Sequence, residues 1–307
     1  ASSSARPVAG PRTIATAHCG CWAAAPDRDS VARVVAGWDA HDLEEAFTTA
    51  GLVGGVMRSR AEWQAHLQGH TITKLPIFEI LKIGDTPPQP LAGGPRPLSG
   101  VRVLEMTRVI AGPVGGRTLA EHGAEVLHLR APHLPGSGVL DVDTNHGKRS
   151  AFLDLDDPQQ FERARQLLRG ADVFSQSYRP GTLAGRGLSP EDAMQLRPGI
   201  VYVTLSAYGH QGPWAGRRGF DTLLQTTTGF VDEERAGGEP RHLPAQTMDY
   251  VSGYLMAMGA MVALARRATE GGSYLVRVSL AQTGHWIHGL GRLPGGTLLP
   301  EAPTLAA

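Results

Sequence analysis

Short apolar stretches alternate with helical patterns over most of the chain. After residue 100, most of the apolar stretches are followed by residues whose apolar positions recur at helical spacing. We predict strands over 75–84, 101–106, 124–130, 149–156, 171–178 and 199–209. Strands that are continuously apolar and separated by helices are typical of a parallel sheet covered by helices on both faces. The pattern therefore predicts an α/β fold.

Two of the intervening helices carry clear boundary signals. Asp157 followed by Pro158 predicts a helix start, and Gly170 predicts its end. Ser189 predicts the start of a further helix, with Asp192 three residues later in a near match to a capping box. Both helices lie between predicted strands, which supports the alternating pattern.

A linker rich in proline and glycine, residues 85–100, separates two segments of different pattern. Before it we predict a small α/β segment over 29–92, with helices followed by one strand. After it we predict a large domain over 95–290. Residues 1–28 lack periodicity and are predicted to be a poorly ordered leader, and residues 291–307 are predicted to be a tail.

Composition limits the classes of function. The chain has 307 residues, and its 29 Lys and Arg balance its 29 Asp and Glu. A net charge of zero argues against nonspecific binding to nucleic acid or to an anionic membrane surface. Cys19 and Cys21 are predicted to be free thiols, which fits a reducing, cytoplasmic setting, and no cysteine set suggests a metal site. No apolar run reaches the roughly 18 residues that a membrane-spanning helix needs.

The predicted strands end in turns that suit a ligand. The turns read TRVIAGP (107–113), RAPH (130–133), SYRPG (177–181) and SAYGHQGP (206–213). Ligands of parallel sheets bind at the carboxyl ends of the strands. Because most of these loops carry a basic residue, they favour a large phosphorylated ligand. GKRS (147–150) is interpreted as a solvated turn rather than a phosphate site.

An otherwise apolar helical stretch, residues 243–267, opens with one carboxylate, Asp249. Two interpretations are open from the residues alone. Asp249 either stabilises the positive end of the helix dipole, an effect of about 0.3–1 kcal/mol, or is a nucleophile held at a helix start.

The motifs together resemble the class III coenzyme A-transferase (CaiB/BaiF) family over residues 95–285. The stretches that carry the resemblance are PLSGVRVLEMTRVIAGPVGGRTLAEHGAEVLHL, GKRSAFLDL, ADVFSQSYRPG, GIVYVTLSAYGHQGPWAGRRGFD and ALARRATEGGSYLVRVSLAQ. The resemblance implies a Rossmann-like large domain and an interlocked homodimer. It also implies transfer of coenzyme A (CoA) between carboxylic acids, with acyl-CoA as substrate and no metal.

The resemblance assigns Asp249 as the nucleophile of the transfer. A carboxylate that attacks a thioester carbonyl gives a mixed anhydride and a free thiolate. The thiolate then gives an aspartyl-CoA thioester, and the acceptor acid repeats the exchange. Helix-start N–H groups are expected to hold this carboxylate and to help stabilise the oxyanion.

The resemblance also implies CoA contacts at matching positions. These positions are Val109, Ile110, Leu153, Asp154, Leu155, Asp156, Ser177, Tyr178, Arg179 and Arg218. The sequence departs from the family at two points. Ser177 stands where the family has Asn, and the basic residue usual at position 131 is Ala131, with Arg130 one place earlier.

A related branch of the family epimerises 2-methylacyl-CoA esters, using a His and an Asp as bases. The Asp of this racemase matches Asp221, whereas its His would fall near residues 197–198, where none is present. His210 lies in a different loop, so the transferase is favoured. Asp221 is alternatively structural, holding its loop through Arg217 or Arg218.

Residues 44–70 resemble a family segment that normally follows the small domain, although here they precede the large domain. This order suggests a tandem or truncated family member. The family's glycine-rich loop has no counterpart after residue 285. A non-catalytic CoA-binding or scaffold protein is therefore the alternative from another functional class.

Overall fold

The computed structural model describes residues 27–235 and 238–292. The predicted leader and tail fall outside these ranges, apart from two residues of each. Within them the chain folds as a mixed α/β protein.

Seven strands form one sheet. They are β1 Phe78–Gly84, β2 Arg102–Met106, β3 Glu125–Arg130, β4 Lys148–Phe152, β5 Val173–Gln176, β6 Val201–Ser206 and β7 Ser273–Ser279. The order across the sheet is β4-β3-β2-β5-β6-β7-β1. All neighbouring pairs are parallel except β1 with β7, where Phe78 lies opposite Val278. Strands β2 to β7 thus have the strand order of a Rossmann fold.

Twelve α-helices are described. They are α1 Arg28–Val35, α2 Ala40–Thr49, α3 Arg60–Ala65, α4 Leu67–Ile72, α5 Ala111–Glu121, α6 Val139–Thr144, α7 Pro158–Arg169, α8 Pro190–Leu196, α9 Asp221–Thr227, α10 Phe230–Glu233, α11 Thr247–Glu270 and α12 Leu280–Gly289. The predicted fold class, a parallel sheet flanked by helices, is confirmed. The six predicted strands are present, and all of them are shorter than predicted.

Local sequence explains the boundaries of two helices. The Asp157 side chain accepts hydrogen bonds from two backbone N–H groups in the first turn of α7, and Gly170 ends that helix. Ser189 and Asp192 form a complete, reciprocal capping box at the start of α8, stronger than the near match expected. Each cap satisfies N–H groups that the first helical turn leaves without a partner.

Alternate residues of the central strands build two cores on the two faces of the sheet. On β5, Val173 enters the core beneath α5, α11 and α12, whereas Phe174 enters the core beneath α7 and α8. On β6, Val203 and Tyr202 divide in the same way. This period of two follows from strand geometry and explains why the strands are apolar throughout.

The residues before the linker join the same sheet and pack on the same domain surface. β1 pairs with β7, and the buried amide of Gln68 bonds the connection that follows β6. Its nitrogen donates to the carbonyls of Tyr208 (2.7 Å) and Gln211 (2.8 Å), and its oxygen accepts from the Trp214 N–H (2.8 Å). The N-terminal segment therefore packs against the connection that follows β6 and holds it through hydrogen bonds.

Helix α11 is long and apolar enough to cross a membrane by length and composition. Within the protein it packs between α5 and the sheet, and 61% of its apolar window is buried. The core helix of a soluble protein passes the same test, so this composition alone is weak evidence for a membrane span.

Candidate active site

The carboxyl ends of the parallel strands form one edge of the sheet, where the chain reverses direction between β2 and β5. From β2 the chain proceeds outward through β3 and β4, and from β5 it proceeds the other way through β6 and β7. Ligands of open α/β sheets bind in the crevice at such a reversal. The turns after β2 and β5 therefore mark the candidate site.

The turn after β2 has a strained backbone. Val109 has a φ of 71°, a region that costs a β-branched residue about 1–3 kcal/mol. The Arg108 N–H donates to the Ser177 hydroxyl over 3.2 Å, which ties this turn to the one after β5. A Cβ on Gly112 would come within 2.4 Å of Thr107 and 3.1 Å of Ser177. Close packing between the two turns holds the strained conformation.

Tyr178 and two arginines lie together beside these turns. Burial raises the pKa of Tyr178, and the positive charges of Arg108 and Arg130 oppose that rise, which places both guanidinium groups near the phenol. The Arg130 guanidinium also pairs with Asp141 over 2.9 Å. Ile110, which follows Val109 and was also predicted to contact CoA, is buried in the core. Tyr178 therefore lies on the same edge as the β2 turn.

The predicted contact segment 153–156 follows β4 at the same edge. Leu153 and Leu155 pack against the core beneath α7. Asp154 accepts a hydrogen bond from the Asp156 N–H (3.0 Å), and the Asp156 carboxylate pairs with Arg186 over 2.6 Å. Both acids are thus held in a local turn at the rim of the crevice.

Arg179 and Arg218 line a pocket of about 290 Å³. Burial lowers the pKa of Arg218, and the nearby positive charge of Arg179 lowers it further. Among the described residues, neither arginine has an acidic partner within ion-pair distance. Two neighbouring guanidinium groups without a counter-ion favour an anionic ligand.

Asp249 is the third residue of α11 and is buried, with 7% of its surface exposed. Gly253, four residues later on the same helix face, contacts α5 so closely that a Cβ would lie 2.6 Å from the Ala111 carbonyl oxygen. Because α5 begins directly after Val109 and Ile110, this packing places Asp249 beside the β2 turn. The nucleophile candidate and the crevice are therefore adjacent.

A second carboxylate lies next to Asp249. Asp221 is 1% exposed, and one of its oxygens accepts the Asp249 backbone N–H over 3.0 Å. The other oxygen accepts from the Gln225 side chain, whose amide also bonds the Ala245 carbonyl (3.2 Å) and the Leu243 N–H (2.8 Å). Asp221 thus caps α11 from another part of the chain, and Gln225 ties it to the loop before that helix.

The pKa values of Asp249 and Asp221 are both raised. Burial raises the pKa of Asp249 to about 7, and the negative charge of Asp221 raises it in the same direction. Burial also raises the pKa of Asp221, although hydrogen bonds from the Asp249 N–H and Gln225 oppose that rise. Because the Asp249 N–H donates to Asp221, this one of the helix-start N–H groups is not free to stabilise an oxyanion.

Comparison with known proteins identifies the family. The family model of CoA-transferase family III matches residues 98–290, well over half of the chain. This chain belongs to CoA-transferase family III. That match contains Asp249, Asp221 and the turns at the carboxyl edge.

Relatives in this family share part of their length with the chain. An acetyl-coenzyme A transferase of Hypoxylon pulicicidum is 33% identical over 264 residues, which cover 80% of this chain and 44% of that protein. A probable fatty acyl-CoA transferase of Mycobacterium tuberculosis is 34% identical over 208 residues, which cover 62% and 52%. The chain therefore spans about half the length of the curated relatives it matches. Because residues 98–307 are less than 80% of this chain, the first match extends into the N-terminal segment.

Solved family structures agree with the fold. A crystal structure of the M. tuberculosis protein superimposes with a TM-score of 0.59 at 31% identity, covering 65% of this chain and 59% of that one. A CaiB/BaiF family protein from Brucella suis gives a TM-score of 0.56 at 27% identity, with the same coverage.

Two expectations about the family III site need correction. Asp221 does not hold its loop through Arg217 or Arg218, since Arg217 pairs with Glu45 and Asp221 caps α11. Lys148 of the GKRS stretch is not solvated: its side chain is fully buried and pairs with Glu105 over 2.8 Å. In both cases a long-range partner, invisible in local sequence, determines the role of the charge.

Among the residues that the structure describes, no histidine forms a hydrogen bond or an ion pair with Asp221. His210 pairs with Glu79 over 3.0 Å, and residues 197–198 contribute Arg197 to an ion pair with Asp172. His242 lies near enough to lower the pKa of Asp221 slightly, but its ring bonds the Thr222 carbonyl at 3.2 Å. In the described ranges, no cluster of three or more His, Cys, Asp or Glu side chains could hold a metal ion.

Gln225 is the site residue that sequence reasoning missed. It is 1% exposed and contacts three different parts of the backbone and side chains around Asp249. Its one sequence signal is its position, four residues after Asp221 on the same helix face. That spacing alone does not distinguish it from a surface glutamine.

Proposed function

We propose that this chain transfers CoA between an acyl-CoA thioester and a carboxylic acid, with Asp249 as the nucleophile. The family match and the names of the relatives support CoA transfer as the reaction class. The observation that supports Asp249 as the nucleophile is the environment of its carboxyl group. Its carboxyl is buried at a helix start, beside the crevice and a second carboxylate, and no described cation neutralises it.

The environment of Asp249 suits nucleophilic attack. A desolvated carboxylate is more reactive than a hydrated one, and its raised pKa keeps it close to titration at neutral pH. The Asp249 oxygen attacks the thioester carbonyl, the C–S bond breaks, and CoA thiolate leaves. The thiolate then attacks the aspartyl carbonyl of the anhydride, releasing the first acid as a carboxylate and forming an aspartyl-CoA thioester. The acceptor carboxylate reverses both steps and restores Asp249.

The remaining residues of the edge bind the CoA substrate in this proposal. Arg179 and Arg218 supply positive charge for its phosphates, and the strained Val109 turn brings backbone close to the nucleotide. Asp221 and Gln225 hold α11 in register so that Asp249 keeps its place. Asp221 is assigned as a positioning residue, because it is 1% exposed and its two oxygens bind the Asp249 N–H and the Gln225 side chain.

We further propose a cytoplasmic, interlocked homodimer of this chain. Balanced charge and the two closely spaced cysteines support the location, and the family resemblance supports the assembly. Light scattering of the purified chain tests the dimer, which predicts twice the mass of one chain.

Covalent trapping tests the reaction. The full chain is incubated with acetyl-CoA, succinyl-CoA and a long-chain acyl-CoA, each with hydroxylamine, and its peptides are measured by mass spectrometry. We expect a hydroxamate on the peptide that contains Asp249, because hydroxylamine cleaves both the anhydride and the thioester. Asp249→Asn is the matched control, and it should bind CoA by calorimetry without acquiring the label.

The outcomes separate the proposal from its alternatives. CoA binding without any label on Asp249 contradicts the nucleophile assignment and favours a non-catalytic CoA-binding protein. Exchange of the α-hydrogen of a 2-methylacyl-CoA with solvent deuterium, without a label, favours the racemase. Absence of CoA binding by a folded chain contradicts the CoA-transferase function.

A further inference from the structure

The pocket that contains Arg179 and Arg218 has a second wall, supplied by the N-terminal segment. That wall includes Glu44, Glu45 and Thr48 of α2 and lies outside residues 98–290, which the family model matches. Arg217 and Trp214 complete the opposite wall. The pocket therefore joins a family segment to a segment whose role the family model does not define.

Arg217 differs from its two basic neighbours because it already has partners. Its guanidinium pairs with Glu45, lies 4.0 Å from Glu44, and stacks 4.4 Å from the centre of the Trp214 ring. Arg179 and Arg218 have no such acid among the described residues. Three arginines thus line one cavity, and one of them is neutralised from the N-terminal wall.

The two glutamates of that wall are held very differently. Glu44 is buried, pairs with Arg58 over 2.6 Å and accepts the Val56 N–H over 2.9 Å. The Glu45 side chain is 65% exposed, and its described contact is the ion pair with Arg217. Glu44 is therefore a fixed part of the fold and keeps a charge 4.0 Å from Arg217, whereas the solvated Glu45 can leave Arg217 for water.

We propose that Glu45 is an internal competitor at this cavity, which occupies Arg217 until a phosphate group of CoA displaces it. The proposal rests on the proposed function for the identity of the ligand. The pair has one solvated member, since the Glu45 side chain is 65% exposed and that of Arg217 is 16% exposed, so water weakens it relative to a fully buried pair. An arginine, in contrast, binds a phosphate with two parallel charge-assisted hydrogen bonds. Exchange of one anion for the other on Arg217 is therefore favourable, and the N-terminal segment sets how tightly the ligand binds.

Calorimetric titration with CoA, and with adenosine 3′,5′-bisphosphate as a ligand without the pantetheine arm, tests the competition. We expect Glu45→Gln to lower the Kd of both ligands about threefold to fivefold at low salt, because it frees Arg217. The gain should shrink at high salt, where exposed charges are screened. Glu162→Gln, which removes an exposed glutamate from α7 at a distance from the cavity, is the matched control and should leave both Kd values unchanged.

A double-variant cycle assigns the gain to Arg217. Arg217→Gln should weaken binding. Adding Glu45→Gln to it should produce no further change, because Glu45 then has no arginine to occupy. An unchanged or raised Kd in Glu45→Gln, or an equal gain with and without Arg217, overturns the proposal.

The controls also separate this inference from the proposed function. Labelling of Asp249 together with an unchanged Kd in Glu45→Gln would leave the transferase intact and reject the competition. Tighter binding of adenosine 3′,5′-bisphosphate by Glu45→Gln in a chain that never labels Asp249 would keep the competition and reject the nucleophile.

Discussion

Two buried charged clusters of this protein have opposite electrostatic designs. In the first, Glu105 on β2 meets Lys148 on β4 over 2.8 Å, with both side chains fully buried. Lys148 also donates to the Pro113 carbonyl (2.7 Å), and the Thr107 hydroxyl donates to Glu105 (2.5 Å). In the second cluster, Asp221 and Asp249 are two carboxylates side by side.

The difference separates a structural cluster from a reactive one. The Glu105–Lys148 pair is neutral overall, and each member has one further hydrogen bond, Glu105 from the Thr107 hydroxyl and Lys148 to the Pro113 carbonyl. Burial lowers the pKa of Lys148, and the negative charge of Glu105 opposes that fall. At Asp249, burial and the charge of Asp221 act in the same direction, and its pKa rises to about 7. The fold neutralises Glu105 with Lys148, but it places no described cation beside the two carboxylates near the ligand crevice.

The largest expected effect comes from breaking the neutral pair. Lys148→Met leaves Glu105 buried without its counter-ion, which should lower the free energy of unfolding by about 3–5 kcal/mol. Urea denaturation measures the loss. The double variant Lys148→Met with Glu105→Leu, which removes both charges, should recover most of it. A loss below about 1 kcal/mol would contradict the view that this buried ion pair is a structural unit.

Removing the charge of Asp249 should raise the free energy of unfolding, whereas removing the charge of Lys148 should lower it. The pKa of Asp249 is raised above its unfolded value, so folding favours the protonated form, and its contribution to stability falls as pH rises toward 7. Asp249→Asn carries no charge and should be more stable than the parent at pH 8, by on the order of a few kcal/mol. Urea midpoints at pH 4.5 and pH 8 measure this gain. A variant that is equally or less stable at pH 8 would show that Asp249 is already compensated.

The smallest effect isolates the interaction between the two carboxylates. Asp221→Asn keeps an oxygen that can accept the Asp249 N–H but removes the negative charge, so the pKa of Asp249 should fall, although burial still holds it above its ordinary value. Because the ionised carboxylate is the nucleophile, the acid limb of kcat/KM should move to lower pH. The pH dependence of hydroxamate formation on Asp249 gives the same reading without full turnover. An acid limb that stays in place or moves to higher pH would contradict the coupling.

Local sequence predicted those features that depend on neighbours along the chain. The caps of α7 at Asp157 and of α8 at Ser189 involve residues two or three positions apart, so their signals are readable in order. Strand β7 was missed because its seven residues follow two glycines and include Arg277, which obscures the apolar run. The placement of Asp249 at a helix start was likewise predicted, since a long and mostly apolar stretch follows it.

The roles of individual charges were not predictable in this way. Lys148 and Glu105 lie 43 positions apart and Asp221 and Asp249 lie 28 positions apart, and each pair meets only when the strands and helices assemble. The same holds for Arg217, whose partner Glu45 comes from the N-terminal segment. Desolvation depends on the whole packed environment, and no local pattern records it.

The amino-acid sequence by itself determined the alternation of strands and helices, the turns at the carboxyl edge and the candidate nucleophile, because hydrophobic period and helix capping are short-range properties. The tertiary structure alone decided which charges are neutralised. It buried Lys148 against Glu105, and it set Asp221 beside Asp249. Electrostatic energy in a protein interior depends on the distance between groups and on the loss of water around them, and folding sets both.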